Sequence, residues 1–495
     1  MVEVIGQKSG KKITESLSTR VVKGGLWIFA LRIISRGLGF IRTIVLARLL
    51  TPEDFGLLGI AMLAIYTLET FSQTGFHTAL IQKKGNVKSY LDTAWTVSAV
   101  RGTTLFLILF FSAPVIARFF NSQDASLVIK VIAISTLLSG FRNIGIIFFQ
   151  KDLEFNKQFA YELSATLVDL TVSITLAFVL RNVWALVFGG LAANCVRTLL
   201  SYTLHPYRPQ FNFEKDKFHG LFGFGKWVLS SSILIFLVTR GDDILVGKML
   251  GVTALGLYQM AYLIANLPTT EITHVISQVT YPAYSALQDN IDRLRQAYID
   301  VLQITVYVSA PLAGVIFALA PELTNILFGK SWIKMASSIQ VLVLAALLRS
   351  IAATAGPIFH GIGKPKIDTQ WQIIRLLTLV LFIYPLTSRW GIFGTSLAVF
   401  LSILACAIGF SFNVVQITQC GFRSYAKMIL LPLLNTATMV SIIFFLKFHY
   451  HLIGFLQLLF LLVIAITTYL SVTCVFEVLI DYGIVKLIKK KLAYQ

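Results

Sequence analysis

Residues 25–58, GLWIFALRIISRGLGFIRTIVLARLLTPEDFGLL, lie without a gap over residues 225–258, GKWVLSSSILIFLVTRGDDILVGKMLGVTALGLY. Gly25 falls on Gly225, Trp27 on Trp227 and Ile44 on Ile244. The run Arg48-Leu49-Leu50 falls on Lys248-Met249-Leu250, and Gly56-Leu57 on Gly256-Leu257. A fixed offset of 200 residues marks an internal repeat. Both copies sit on long apolar runs, so the repeating unit begins with the same pair of hydrophobic helices.

Composition says what surrounds those helices. Of 495 residues, 56% are apolar and only 13% are charged. Water-soluble domains carry about 25% charged residues, because a wetted surface needs them. The shortfall predicts a surface that faces lipid. The net charge of +19 would suggest nucleic acid in a soluble chain. Here it reads as basic loops held against an anionic membrane leaflet, and no nucleic-acid partner is expected. The four cysteines, Cys195, Cys406, Cys420 and Cys474, are too dispersed for a disulfide framework or a zinc site. No metal and no bound cofactor are expected.

A spanning helix needs about 20 apolar residues. Fourteen such stretches can be read, among them 24–48, 54–80, 92–117, 126–148, 219–241, 244–268 and 335–360. The eighth should run past Pro268 towards Tyr284. Twenty-four Lys and Arg fall on the side that holds the N-terminal tail, against eight on the other. The excess places both termini in the cytoplasm. The apolar run after the tail is too long for a signal peptide, so no cleavage is expected. With the repeat, the chain divides into a basic tail (1–23), two six-helix lobes (24–217 and 218–418), and two added helices with a basic end (419–495). Six is an even number, so the repeats are parallel and related by an axis along the membrane normal. The expected fold is an all-α polytopic membrane protein, with two such bundles around a central cavity. That is a transporter plan.

Four segments add a resemblance. LARLLTPEDFGLLGIA (46–61), FQKDLEF (149–155), YPAYSALQDN (281–290) and GIGKPK (361–366) occur in the order and at the helix ends found in bacterial polysaccharide exporters. These are lipid-linked oligosaccharide flippases of the multidrug/oligosaccharidyl-lipid/polysaccharide superfamily. The chain most resembles the colanic-acid-exporter-like branch. The resemblance implies alternating access and a bacterial inner-membrane location. It implies a cargo of polyprenyl-diphosphate-linked oligosaccharide, moved from the cytoplasmic to the outer leaflet for cell-surface polysaccharide synthesis. A polymerase and chain-length machinery are its implied partners, beside the bilayer itself.

Ionisable groups within spans cost about 2.5–3.5 kcal/mol to insert and usually line a cavity. At a rise of about 1.5 Å per residue, Arg32 and Arg36 lie roughly 12 and 18 Å into the first span. They share a face. Arg101, Arg197, Arg349 and Arg375 also fall between the cytoplasmic mouth and the midplane. A guanidinium fork suits a diphosphate. Arg32, Arg36, Arg101 and Arg349 are therefore the expected diphosphate ligands. Arg197 and Arg375, nearer the interface, read instead as snorkelling side chains or partners of helix-end carbonyls. Glu69 and Asp169 are candidates for coupling to protons or sodium ions, or for neutralising an arginine. Glu271 is a further buried acid. The offset of 200 makes Arg42 the counterpart of Asp242. Arg42 is accordingly expected to close an outer gate against Asp242 or Asp243, with Arg240 competing for the same acids.

Other chemistry fits less well. A drug or small-molecule exporter of the same fold is the alternative. A polysaccharide polymerase or ligase would want a long outer loop with clustered Arg and His, whereas His449 and His451 are the only neighbouring pair. No phosphate-binding glycine loop is present. The chain is not expected to be an enzyme.

Overall fold

A computed structural model describes residues 17–73, 75–82, 87–449 and 454–480, without the side chains of 17–23, 82, 219–231, 268–279 and 480. Most of the basic termini, Lys83, Lys84, His451 and the Glu271 side chain thus lie outside the described residues. The elements are α1 (Leu17–Leu49), α2 (Pro52–Phe71), α3 (Phe76–Gln82), α4 (Lys88–Phe119), α5 (Asp124–Ile132), α6 (Ile134–Gly140), α7 (Ile147–Lys151), α8 (Phe155–Leu180) and α9 (Trp184–Thr203). The second half continues with α10 (Lys215–Leu250), α11 (Val252–Ala286), α12 (Ile291–Leu323), α13 (Ala336–Ala353), α14 (Gly356–Gly361) and α15 (Pro365–Thr418). It closes with α16 (Phe422–His449) and α17 (Phe455–Ile480). No strand occurs among the described residues. In a bilayer only helices satisfy their own backbone polar groups without a closed barrel.

Nine helices among the described residues are long and apolar enough to cross a membrane. One of them, α15, is broken at Trp390 and at Gly391 (φ 58°, ψ −138°) into two apolar segments. The expected fourteen spans do not appear as fourteen separate helices, and two boundaries need correction. The stretch 126–148 is not one helix. A bent pair replaces it, Asp124–Gly140 and Ile144–Lys151, turned by 68°. Asn143 makes the break: its backbone is extended and its side-chain oxygen accepts from Gly145 N at 2.8 Å. The expected division near 242–243 is also displaced, since α10 runs through both aspartates and ends before Gly251, whose φ is 83°. The repeat carried that signal, because the α1–α2 connection maps onto residue 251. As expected, α11 continues beyond Pro268, to Ala286.

The chain forms two compact units. The first comprises residues 1–49, 64–114 and 126–233, and the second residues 50–63, 115–125 and 234–495. Within the first, α1 lies on α8. Trp27 tilts against Phe159 with ring centroids 5.0 Å apart, and a Cβ on Gly24 would overlap the Phe155 ring. Small residues let α8 and α9 approach closely: Ala165, Ala177, Ala185 and Ala193 are buried, and Gly189 faces Ser173. Without a hydrophobic drive between helices in lipid, such close fits supply dispersion contact instead.

Within the second unit, the start of α2 meets the start of α11 in a crossed pattern. A Cβ on Gly56 would strike the carbonyl oxygen of Val252, and a Cβ on Gly256 would strike that of Pro52. Gly59 faces Gln259. The 200-residue offset joins Gly59 to Gln259 and turns the Gly56–Val252 pair into the Gly256–Pro52 pair, so the repeat read from sequence is a structural two-fold at this contact. The added helices α16 and α17 pack on α12. Lys447 pairs with Glu322 at 2.7 Å, and the Tyr469 hydroxyl donates to Tyr307 O at 2.9 Å. Their outer faces are apolar and exposed, as lipid contact requires: Phe448 and Leu456 are each 80% accessible.

Candidate functional site

Each unit contains a polar cavity among its apolar helices. The cavity of the first unit has a volume of about 570 Å³ and is walled by α2, α4, α8 and the bent pair around residue 143. Arg101 lines it but is already engaged. Its Nε donates to Ser72 O at 2.8 Å and Ser72 Oγ at 3.0 Å, and its Nη2 to Glu69 O at 3.0 Å. The carbonyls at a helix C-terminus lack intrahelical partners and attract cations, so Arg101 closes the end of α2. Arg142 lines the same cavity because the chain breaks at Asn143. Its Nη2 reaches Asn194 Oδ1 at 3.3 Å, while its buried Nε has no hydrogen-bond partner. Glu69 and Glu162 share the cavity, and Glu162 also pairs with Arg197 at 3.2 Å. Two acids thus face two arginines. Arg197 is therefore an ion-pair partner rather than a snorkelling side chain.

The second unit differs. Its cavity, about 470 Å³, is lined by Arg349 and Arg375 together with Tyr281, His360, Asp368 and Gln372. Arg349 donates to Asn266 Oδ1 at 2.8 Å and to the Tyr262 hydroxyl at 2.9 Å, both neutral. Arg375 has no hydrogen-bond or ion-pair partner among the described residues, and it lies within the repulsive field of Arg349. Both guanidiniums keep a buried Nε without a partner. Among the described residues the only acid on the lining, Asp368, faces His360 at 3.2 Å. Sequence depth ranked Arg375 below Arg349, yet the two share one cavity. Their spacing of 26 residues on different helices gave no local signal of that.

Arg32 and Arg36 lie on α1, the first half-buried and the second exposed. The expected outer-gate pairing of Arg42 with Asp242 or Asp243 is not the one observed. Arg42 Nη2 stands 2.9 Å from Asp169 Oδ1 and donates to Ser173 Oγ at 3.0 Å. Asp242 accepts from the buried Tyr258 hydroxyl at 2.6 Å, and Asp243 pairs with Arg240 at 3.2 Å. Arg42 and Asp243 each meet an opposite charge within their own unit, as the penalty on a buried unpaired charge favours, whereas Asp242 is met by a neutral hydroxyl. Of the two candidate coupling acids, Asp169 neutralises Arg42, and Glu69 faces the first cavity.

In the first unit, residues 204–214 run without regular secondary structure across the start of α4. Gln210 N donates to Asp92 Oδ1 at 3.1 Å, Asn212 N to Thr96 Oγ1 at 3.0 Å, and the Tyr207 hydroxyl also donates to Asp92. Burial and that bond to a carboxylate hold the Tyr207 phenol well above its ordinary pKa. His205 stacks on Phe148 with centroids 5.5 Å apart and accepts from Tyr207 N at 3.2 Å. Burial first, then the nearby Lys157 charge, lower its pKa below the usual imidazole value.

Two helical repeats, each holding a polar cavity in an apolar shell, define a multi-pass membrane transporter. The chain belongs to the polysaccharide biosynthesis protein family, which its residues 45–337 match. It is 24% identical over 420 residues to the lipopolysaccharide biosynthesis protein WzxC of Escherichia coli strain K12, a match covering 84% of this chain and 85% of that protein. It is 23% identical over 373 residues to the teichuronic acid biosynthesis protein TuaB of Bacillus subtilis strain 168, covering 75% and 77%. The fold is shared with the lipid II flippase MurJ in an inward closed conformation. That match has a TM-score of 0.72 at 16% identity and covers 91% of this chain and 98% of the other.

Proposed function

We propose that this protein carries polyprenyl-diphosphate-linked oligosaccharide from the cytoplasmic to the outer leaflet of the bacterial inner membrane by alternating access. The observation that carries this reading is the Arg349–Arg375 pair. Two guanidiniums on one cavity lining, each with an unused buried Nε and sharing that lining with the single described carboxylate Asp368, suit an anion with several acceptor oxygens. A diphosphate is such an anion. Arg32 and Arg36 on α1 belong to the same proposal as further phosphate ligands. Arg101 leaves it, because its donors hold the end of α2. Cytoplasmic termini follow from the distribution of Lys and Arg. Coupling to protons or sodium ions is assigned to Glu69, since Asp169 is occupied by Arg42. Delivery to a polymerase and chain-length machinery completes the proposal, which contains no catalytic step.

The alternative, export of cationic drugs, would call for uncompensated acids in the cavity, where arginines stand instead. The test is flipping of a fluorescent polyprenyl-diphosphate oligosaccharide in proteoliposomes, against uptake of a cationic dye. The wild type should move the lipid and not the dye. Arg375→Gln and Arg349→Gln should each slow the lipid about 10–100-fold, the loss expected for a hydrogen bond between charged groups at about 1.5–3 kcal/mol. Dye transport without lipid flipping would overturn the assignment.

A further inference from the structure

We infer that the cavity of the first unit is a sugar-binding pocket, taking an uncharged hexose of the cargo glycan apart from the diphosphate. This rests on the flippase reading and adds to it a separate site for the glycan.

The argument begins with unmet hydrogen bonds. Tyr161 is 3% accessible, and its hydroxyl has no partner among the described residues. Gln158 lies three residues earlier on α8, so the two share a face, and its buried Oε1 is also unpartnered. Arg142 Nε makes a third. All three residues line the same cavity. A buried polar atom left unpaired is rare, and each one works against folding. Three around one cavity point to a ligand that supplies both donors and acceptors.

Charge decides what kind of ligand. Arg101 and Arg142 share the lining with Glu69 and Glu162, of which Glu162 also pairs with Arg197, and Arg101 is tied to helix carbonyls. The two carboxylates on the wall work against an anion, and the two guanidiniums against a cation. A neutral polyol suits both, because its hydroxyls both give and accept. The aromatic part of the wall fits the apolar face of a sugar ring. Tyr66, on the same lining, is 37% accessible and offers that ring surface, while the buried Phe76 and Phe149 back the wall. Convergent polar groups on an apolar wall, at about 570 Å³, are the usual make-up of a small-ligand pocket.

The test compares two probes on purified protein in detergent: polyprenyl diphosphate alone, and the same carrier bearing a neutral hexose trisaccharide. Binding is read by competition against a fluorescent carrier. The wild type should bind the sugar-bearing probe more tightly. In Tyr161→Phe combined with Gln158→Met, that advantage should fall about tenfold, the equivalent of one lost hydrogen bond. Affinity for the bare carrier should stay as it was. The Tyr161→Phe change alone should leave the unliganded melting temperature equal or higher, since it removes a hydroxyl that has no partner. Equal binding of the two probes by the wild type would overturn the pocket while leaving the flippase reading intact. So would loss of both probes together in the variant. Binding of neither probe by the wild type would overturn the flippase reading itself.

Discussion

The two cavities, one in each unit of a repeat chain, balance charge in different ways. In the first unit Arg101 and Arg142 share the lining with two acids, Glu69 and Glu162, the second also paired with Arg197, and Arg101 is spent on the end of α2. In the second, Arg349 and Arg375 share a lining whose single described acid is Asp368, Arg349 bonds neutral partners, and Arg375 has the longer-range field of Asp242 to offset that of Arg349. An arginine that caps a helix contributes to the scaffold. One whose like-charged neighbour is uncompensated stores repulsion that an arriving anion relieves. Depth in the membrane does not distinguish the two cases, whereas partner chemistry does.

The sharpest way to break this contrast is to add inorganic pyrophosphate to the purified protein and follow thermal unfolding. A ligand that binds only the folded state stabilises it by about 2.7 kcal/mol at a hundred times its dissociation constant. The gain should vanish in Arg375→Gln and Arg349→Gln and persist in Arg101→Gln. A gain lost only in Arg101→Gln would reverse the assignment of the two cavities.

Next in size is the Arg42–Asp169 pair, which is partly exposed and joined at 2.9 Å. Asp169→Asn or Arg42→Gln alone should destabilise by up to about 3 kcal/mol, because each leaves a charge without its partner. The double variant should recover a measurable part of that loss. A double-mutant cycle on melting or denaturation tests it, and strict additivity would count against the pair.

Arg101→Gln should cost about 1.5–3 kcal/mol of stability through the lost cap on α2. Affinity for polyprenyl diphosphate should hold, and a selective loss of affinity would return Arg101 to the phosphate ligands.

The smallest effect is a pH dependence of the strap at 204–214. His205 is held neutral by burial and by Lys157, so the unfolded chain, titrating near pH 6.5, binds its proton more readily. Its contribution is full above that pH and declines as pH falls below it. Protection factors for amide exchange at Tyr207 and Gln210 should fall as the pH drops below about 6.5, and His205→Phe should flatten the profile.

Much of the architecture was legible in the chain. Membrane class and repeat follow from apolar run length and a fixed offset. These are properties that each segment carries wherever its neighbours lie, because the bilayer acts on segments one at a time. Even the misplaced boundary at 242–243 could have been read, since the break after Leu50 maps onto Gly251. Glu69 and Arg349 were found because a lone charge in an apolar run is visible without neighbours.

Partnership was settled only by the tertiary structure. Arg42 and Asp169 are separated by 127 positions, and the 2.9 Å contact arises because α1 packs along α8. Arg142 enters a cavity only because the chain turns at Asn143, and Arg375 gains its meaning from Arg349 on another helix. The contact of Gly56 with Val252 likewise depends on two helix ends meeting. Hydropathy tells a residue how deep to sit. Whether its charge is cancelled, shared or left for a ligand depends on atoms within a few ångströms, and packing alone brings those together.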